Sequence, residues 1–292
     1  AVALGYFDGV HSGHRAVLGA AVTYAAQHGL TAAAFTFELP GNNSLKGGRI
    51  LSLAQKHTRV AQLGIAQYWE PSFEEFRALS PEDFVRRVLV DCFHAKAVFC
   101  GDNFTFGAYA AGNVALLEQL CAPYGITVDV VPMAQYGGQT VSSTRIRAAL
   151  EEGRLDDANA MLGKPYAIDW AVTHGKGIGS GKLGTPTINQ NYPAEALQPC
   201  TGVYLTRIWL DGQWRPAATG IGRRPTVDSS ANAAVTCETF VPDYAGNVYG
   251  RAPVLEFHKY LCPVRKFGSM DELAALIHHA AEESKAYFAA QH

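Results

Sequence analysis

The stretch Gly5-Tyr6-Phe7-Asp8-Gly9-Val10-His11-Ser12-Gly13-His14 closes an apolar run and opens a helix. Before it, Val2-Ala3-Leu4 reads as a buried strand, and from Gly13 an Ala-rich segment runs with helical spacing to His28, where Gly29 supplies a C-terminal stop. The stretch is therefore a strand-to-helix turn. In such a turn the unbonded N–H groups of the helix start attract anions, and glycines such as Gly5, Gly9 and Gly13 let the main chain approach phosphates closely. His11 and His14, three residues apart, can share one face. Taken alone the two histidines could also be a structural pair or half of a zinc site, although no nearby cysteine or acidic cluster offers the remaining ligands.

Outward from this turn, strand and helix alternate up to about Gly163. Strand candidates are Leu4–Phe7, Thr31–Phe37, Ala97–Cys100 and Ile126–Val131, with helices expected at 14–28, 53–63, 81–94, 112–121, 144–152 and 155–162. Ser80-Pro81-Glu82-Asp83 is a helix opener, with a capping hydroxyl, a proline at the first helical position and an acid three residues after the cap. The alternation predicts a parallel sheet with helices on both faces, in which ligands bind at the carboxyl ends of the strands. Because the first residue already lies inside the first strand, residues ahead of Ala1 are expected in the natural protein.

From Tyr166 the pattern changes to strands and hairpins. Tyr166–Val172, Val203–Leu210, Trp214–Gly220, Ala234–Val241 and Pro253–Leu261 are strand candidates, and Asp211-Gly212 marks a tight turn between two of them. A last helix is opened by Ser269-Met270-Asp271-Glu272 and carries Leu273, Leu276, Ile277 and Ala280 at helical spacing. An antiparallel barrel with a docked C-terminal helix fits this half, with the boundary between domains at Gly163/Lys164. Gly175, Gly177, Gly179, Lys182 and Gly184 belong to a loop too glycine-rich for an element interior. That loop leads into a turn at Thr185-Pro186-Thr187-Ile188-Asn189, which offers backbone amides to phosphate and then two oxygen-bearing side chains to a hard cation.

The 292 residues are 48% hydrophobic and 17% charged, with a formal net charge of −2. A sizeable core is available, and nucleic-acid binding is disfavoured because no basic stripe exists to neutralise a phosphate backbone. The six cysteines form no CxxC pair, as expected of reduced thiols in cytosol. Neither a signal peptide nor a membrane span is legible, so a cytoplasmic protein without a membrane partner is expected.

The first turn resembles the signature of the HxGH nucleotidyltransferases, in particular the adenylyltransferase half of bacterial bifunctional riboflavin kinase/FAD synthetases. The resemblance implies that Gly5, Phe7, Asp8, Gly9 and Gly13 contact ATP and that His11 and His14 stabilise charge during AMP transfer. It also implies a second triphosphate segment, matched by Ser142, Ser143, Thr144, Arg145 and Arg147 in Val141-Ser142-Ser143-Thr144-Arg145-Ile146-Arg147. Read alone, that segment is a serine cap with surface arginines. Pro186-Thr187-Ile188-Asn189 resembles the riboflavin kinase signature, implying that Thr187 and Asn189 hold ATP and Mg²⁺. Gly202-Val203-Tyr204, Gly220 to Thr226, Cys237-Glu238-Thr239, Tyr249-Gly250 and Lys266-Phe267 follow in that family's order. Glu238 matches the catalytic glutamate, and read alone it is as well an outward-facing strand residue. Flavin contacts are implied for Asn103 and Phe104 in the first half and for Arg223 and Thr226 in the second.

The sequence departs from the family at Glu38-Leu39-Pro40-Gly41, where Asp-Pro-His-Pro is common. It departs also at Asn103, where an amide replaces a carboxylate, and at Cys262, where arginine is common. The expected activities are phosphorylation of riboflavin to FMN and adenylylation of FMN to FAD, with riboflavin, FMN and ATP as small-molecule substrates and Mg²⁺ as cofactor. The alternatives are a chain in which only the kinase works, or a flavin- or nucleotide-binding regulator without catalysis.

Overall fold

The structure is a computed structural model describing residues 1–38, 48–174, 187–223, 235–263 and 270–290. By internal packing it divides into two units, Ala1–Ser143 and Thr144–His292.

The first unit is built on a five-stranded parallel sheet. In chain order its elements are β1 (Val2–Leu4), α1 (Ser12–His28), β2 (Ala33–Phe35), α2 (Leu53–Gln62) and β3 (Gln67–Trp69). Then come α3 (Pro81–Asp83, continued from Phe84 to Cys92 as a wider helical coil), β4 (Ala97–Gly101), α4 (Val114–Cys121) and β5 (Thr127–Val131). The strand order is β3-β2-β1-β4-β5. Helices on both sides bury β1 completely, which explains a strand of Val-Ala-Leu with no polar alternation. One core gathers Val2, Leu4, Phe35, Val85, Leu89, Val98 and Leu117. A small hairpin, β6 (Gln135–Tyr136) with β7 (Gln139–Thr140), turns through Gly137 and Gly138, both at positive φ.

Strand β1 ends at Leu4 rather than Phe7. The cause is local: Phe7 sits at φ 52, in the left-handed region that no strand can pass through. The start of α3 is as the sequence predicts, with the Ser80 hydroxyl accepting from the Asp83 N–H at 3.0 Å and Pro81 in the first turn. β3 is absent from the sequence reading because three residues carry too little periodicity to register.

Helices α5 (Ser143–Glu151) and α6 (Leu155–Leu162) precede a seven-stranded antiparallel sheet. Its strands are β8 (Tyr166–Ile168), β9 (Val172–Thr173), β10 (Thr187–Asn191), β11 (Gly202–Leu210), β12 (Gln213–Arg223), β13 (Val235–Phe240) and β14 (Leu255–Cys262). The order is β8-β14-β11-β12-β13-β10-β9. The first and last strands of that order are separated in sequence by Asp169-Trp170-Ala171 alone, so the sheet must curl until its edges approach, giving an open half-barrel. The stretch expected as one strand from Tyr166 to Val172 is thus two strands with a corner between them. Asp211 (φ 50) and Gly212 (φ 81) make the two-residue turn of the β11–β12 hairpin. α7 (Met270–Ala289) covers β11 and β12, with Ala280 and Ala281 against Val203, Ala218 and Phe240. Its expected opener Ser269 lies outside the described residues.

Candidate functional site

The first cluster sits at the carboxyl end of β1. Sheet order reverses between β1 and β4, and in a doubly wound sheet that is where a ligand crevice forms. Phe7 (φ 52), Gly9 (φ 87) and Val10 (φ 44) are left-handed within four residues. Only the glycine adopts that conformation freely, and each of the others costs about 1–3 kcal/mol, so the turn is held by its surroundings. His11 caps α1: it is 3% exposed, and its Nδ1 accepts from the His14 N–H at 3.3 Å. The imidazoles of His11 and His14 stack with centroids 3.5 Å apart, and the Phe7 ring meets His14 edge-on at 5.4 Å. A Cβ at Gly5 would come within 2.7 Å of the buried Phe7 ring, which favours glycine there, and one at Gly13 would lie 3.3 Å from the His11 ring.

Asp8 is buried, and its carboxylate accepts from the Ile50 N–H at 3.1 Å, tying the turn to the segment before α2. Ser143, first residue of α5, donates its hydroxyl to the Asp8 carbonyl at 2.9 Å across 135 residues of sequence. The two motifs of the first half therefore meet at Asp8. Ser142 is half-buried; beyond Ser143, Thr144 is exposed, Arg145 is half-buried and Arg147 is buried. After β4, the neighbour of β1, Asn103 is exposed while Phe104 packs on the core and stacks on Phe106 at 5.9 Å.

Beside the turn lies a charged cluster that sequence reasoning missed. The Lys56 ammonium donates to Glu70 at 2.6 Å, and Glu70 also accepts from the Tyr68 hydroxyl at 3.0 Å and meets His57 Nε2 at 2.8 Å. Burial draws the Lys56 pKa below its ordinary value against the pull of Glu70 and Asp8. For Glu70 burial acts upward, but the Lys56 charge and the hydrogen bonds outweigh it, and the net shift is down. A lysine inside an otherwise amphipathic helix carries no sequence signal that its ammonium is buried.

The second cluster is made by strand register. Thr187 and Asn189, expected in a turn, lie on β10, because Thr187 to Asn191 pair antiparallel with Phe240 to Thr236 of β13. Asn189 stands directly opposite Glu238, and Thr187, two residues away, shares that face. The Asn189 amide donates to the Thr187 carbonyl at 3.1 Å. Glu238 is the exposed residue of a β13 that is otherwise buried. Its neighbour on the other side, on β12, is Gly220, which projects no side chain. Next to it, burial pushes the Cys237 thiol up to about 12, so that sulfur stays protonated. Arg223 ends β12, in register opposite Val235. Gly175, Gly177, Gly179, Lys182, Gly184 and Thr226 lie outside the described residues, as do Leu39-Pro40-Gly41 and Lys266-Phe267.

Thr187 and Asn189 offer hard oxygen donors beside a carboxylate, a set suited to Mg²⁺, which takes one or two protein oxygens and completes its shell with water and phosphate. Among the described residues no group of three or more His, Cys, Asp or Glu could hold a metal ion. None of the six cysteines is in a disulfide. Among the described residues no helix is long and apolar enough to cross a membrane.

The FAD synthetase family profile matches residues 1–145 and the riboflavin kinase profile residues 162–288. The chain is 33% identical to the bifunctional riboflavin kinase/FMN adenylyltransferase of Pseudomonas fluorescens, over 94% of this chain and 88% of that protein. It is 33% identical to the protein of the same name from Bacillus subtilis (strain 168), over 98% and 92%. The Escherichia coli (strain K12) protein of that name is 32% identical, over 94% and 88%. A solved structure described as a macrolide-efflux protein from Streptococcus pneumoniae shares the fold, with a TM-score of 0.85 over 98% of this chain and 93% of that one at 24% identity.

Proposed function

This chain belongs to the bifunctional riboflavin kinase/FMN adenylyltransferase family, whose members make FMN from riboflavin and FAD from FMN, and on that premise we propose which of its residues carry each reaction. Residues 1–163 serve the adenylyl transfer and residues 164–292 the kinase, so α5 and α6 go with the first activity although they pack within the second unit.

In adenylyl transfer an FMN phosphate oxygen attacks the α-phosphorus of ATP in line and pyrophosphate leaves. The protein's task is to hold the two phosphates together and to stabilise charge on the oxygens of the transition state. His11 and His14 supply donors for that charge, and the backbone at the α1 start, reached through Gly5, Phe7, Asp8, Gly9 and Gly13, holds the triphosphate. Ser142, Ser143 and Thr144, with Arg145 and Arg147, take the β- and γ-phosphates as a helix start bearing full positive charge. Asn103 and Phe104 receive the flavin. The observation that carries this assignment is the Ser143 hydroxyl bonded to the Asp8 carbonyl, which joins the two phosphate motifs at one residue.

In the kinase reaction the ribityl 5′-hydroxyl oxygen attacks the γ-phosphorus and ADP leaves. Glu238, exposed on β13 beside Gly220, orients that hydroxyl and accepts its proton. Thr187 and Asn189 hold the nucleotide with the glycine-rich stretch 175–184, and Arg223 and Thr226 hold the flavin. Mg²⁺, when held by Thr187 and Asn189, neutralises phosphate charge. A cytoplasmic setting with small-molecule partners only, and neither nucleic acid nor membrane, completes the proposal.

Product analysis with riboflavin, ATP and Mg²⁺ tests the reading. FMN should accumulate first and FAD follow. FMN alone would leave the kinase as the only working half, and tight flavin binding without conversion would mean a regulator.

A further inference from the structure

The charged cluster beside the first turn takes no part in the steps above, yet a hydrogen-bonded chain links it to the turn. Glu70 accepts from the Lys56 ammonium at 2.6 Å, the same ammonium donates to the Thr36 hydroxyl at 3.3 Å, and that hydroxyl donates to the Tyr6 carbonyl at 2.9 Å. Every donor and acceptor in the chain is used in the only direction its chemistry allows: an ammonium has no lone pair, a carbonyl no proton, and a hydroxyl can do both. Thr36 is fully buried and Lys56 is 5% exposed. The cavity that Lys56 adjoins, bordered also by Tyr6, Asp8 and Glu70, is about 10 Å³, room for roughly one water. An ammonium polarising a hydroxyl in such surroundings strengthens the hydroxyl's own donation to the next acceptor.

The chain ends where the backbone needs holding. The β1–β2 ladder makes its last contact through the Gly5 N–H on the Phe35 carbonyl at 3.3 Å. One residue later the Thr36 side chain takes over, gripping Tyr6 just before the left-handed Phe7, whose ring lies against His14.

We propose that Lys56, acting through the Thr36 hydroxyl, is a positioning residue for adenylyl transfer: it fixes the backbone at Tyr6 and so sets the turn that presents His11 and His14 to the triphosphate. This rests on the assignment of adenylyl transfer to that turn. The alternative is that Lys56 and Glu70 are merely a buried ion pair that helps the unit fold.

The test is Thr36→Val, which keeps the shape and deletes the hydroxyl, with Thr36→Ser to restore it, each assayed as full-length protein for both reactions. Thr36→Val should lower kcat for FAD formation from FMN about tenfold, the order expected when reacting groups are held slightly out of line. KM for ATP should stay within about twofold, and riboflavin phosphorylation by the same preparation should be unchanged, which controls for folding. Thr36→Ser should recover most of the lost kcat. Parental kcat in Thr36→Val overturns the proposal. So does an equal loss in Val and Ser variants that tracks a lower Tm, which marks a packing role. Failure of the parent to make FAD at all would instead sink the assignment of the activity, a separate result read in the same assay.

Discussion

The turn carrying His11 and His14 and the strand pair carrying Asn189 and Glu238 solve the same problem in opposite ways. The first is contiguous: two imidazoles and three glycines lie within ten residues, and their geometry is imposed by a turn with three left-handed positions. The second is made of residues about fifty apart whose only relation is that β10 and β13 pair in one register. A local turn fails through strain, whereas a register fails through misalignment. The two sites should therefore respond to different kinds of change, and each should fail without the other.

The largest effect is expected from Glu238→Gln. It keeps shape and one acceptor oxygen but removes the charge that takes the ribityl proton, and loss of a general base typically costs about 10²–10⁴ in rate. FMN formation should fall by that order, while FAD formation from supplied FMN is untouched. Parental riboflavin phosphorylation in this variant would erase the contrast by removing Glu238 from the chemistry.

His14→Ala is the mirror test. It removes one donor to developing phosphate charge, an effect of about 10²–10³ by analogy with the loss of one oxyanion donor. FAD formation should drop and FMN formation persist, and a collapse of the kinase instead would mean that the two halves have been assigned the wrong way round.

Gly202→Ala sharpens the comparison on stability. A Cβ there would lie 2.7 Å from the Cys262 carbonyl oxygen, backbone that cannot swing away. Overpacking of this kind costs about 1–3 kcal/mol. Denaturant melts of both units should show the half-barrel weakened and the parallel sheet unaffected.

The smallest effect concerns Glu70. Its folded-state pKa lies below the ordinary 4.5, so the folded state binds fewer protons than the unfolded chain as that group titrates. Its stabilisation is fully present above about pH 4.5 and is lost as pH falls through the depressed value. The difference in Tm between the parent and Glu70→Gln should shrink with acidification. A difference that stays constant with pH would show that the ion pair contributes nothing to the first unit's stability.

Much of the first unit was legible because its signals are local. Gly29 as a left-handed stop, Ser80-Pro81 as a helix opener and the alternation of short apolar runs with helices each depend on neighbours a few residues away. The same holds for Asp211-Gly212 in the half-barrel. Gly137-Gly138 is an equally local signal, for the β6–β7 hairpin. What stayed hidden was either too short, as β3, or decided by distant partners. Thr187 and Asn189 look like turn residues because proline and glycine precede them, and only pairing with β13 makes a strand of them. Lys56 looks like the polar face of α2, and only Glu70, fourteen residues on, makes it a buried charge. Glu238 was singled out through resemblance, since alternation alone left either face open.

The pairing of Asn189 with Glu238 also sets which sequence changes the kinase half can survive. Loop insertions outside β10 and β13 leave the pairing intact, so length variation there is cheap. A single residue added or lost within either strand is different in kind. It would turn Glu238 inward, among the hydroxyls of Thr206, Thr219 and Thr239 that now bond to one another at 2.8–2.9 Å, and bring Cys237 or Thr239 to the surface in its stead. The half-barrel should therefore vary by substitution inside these strands and by length only between them.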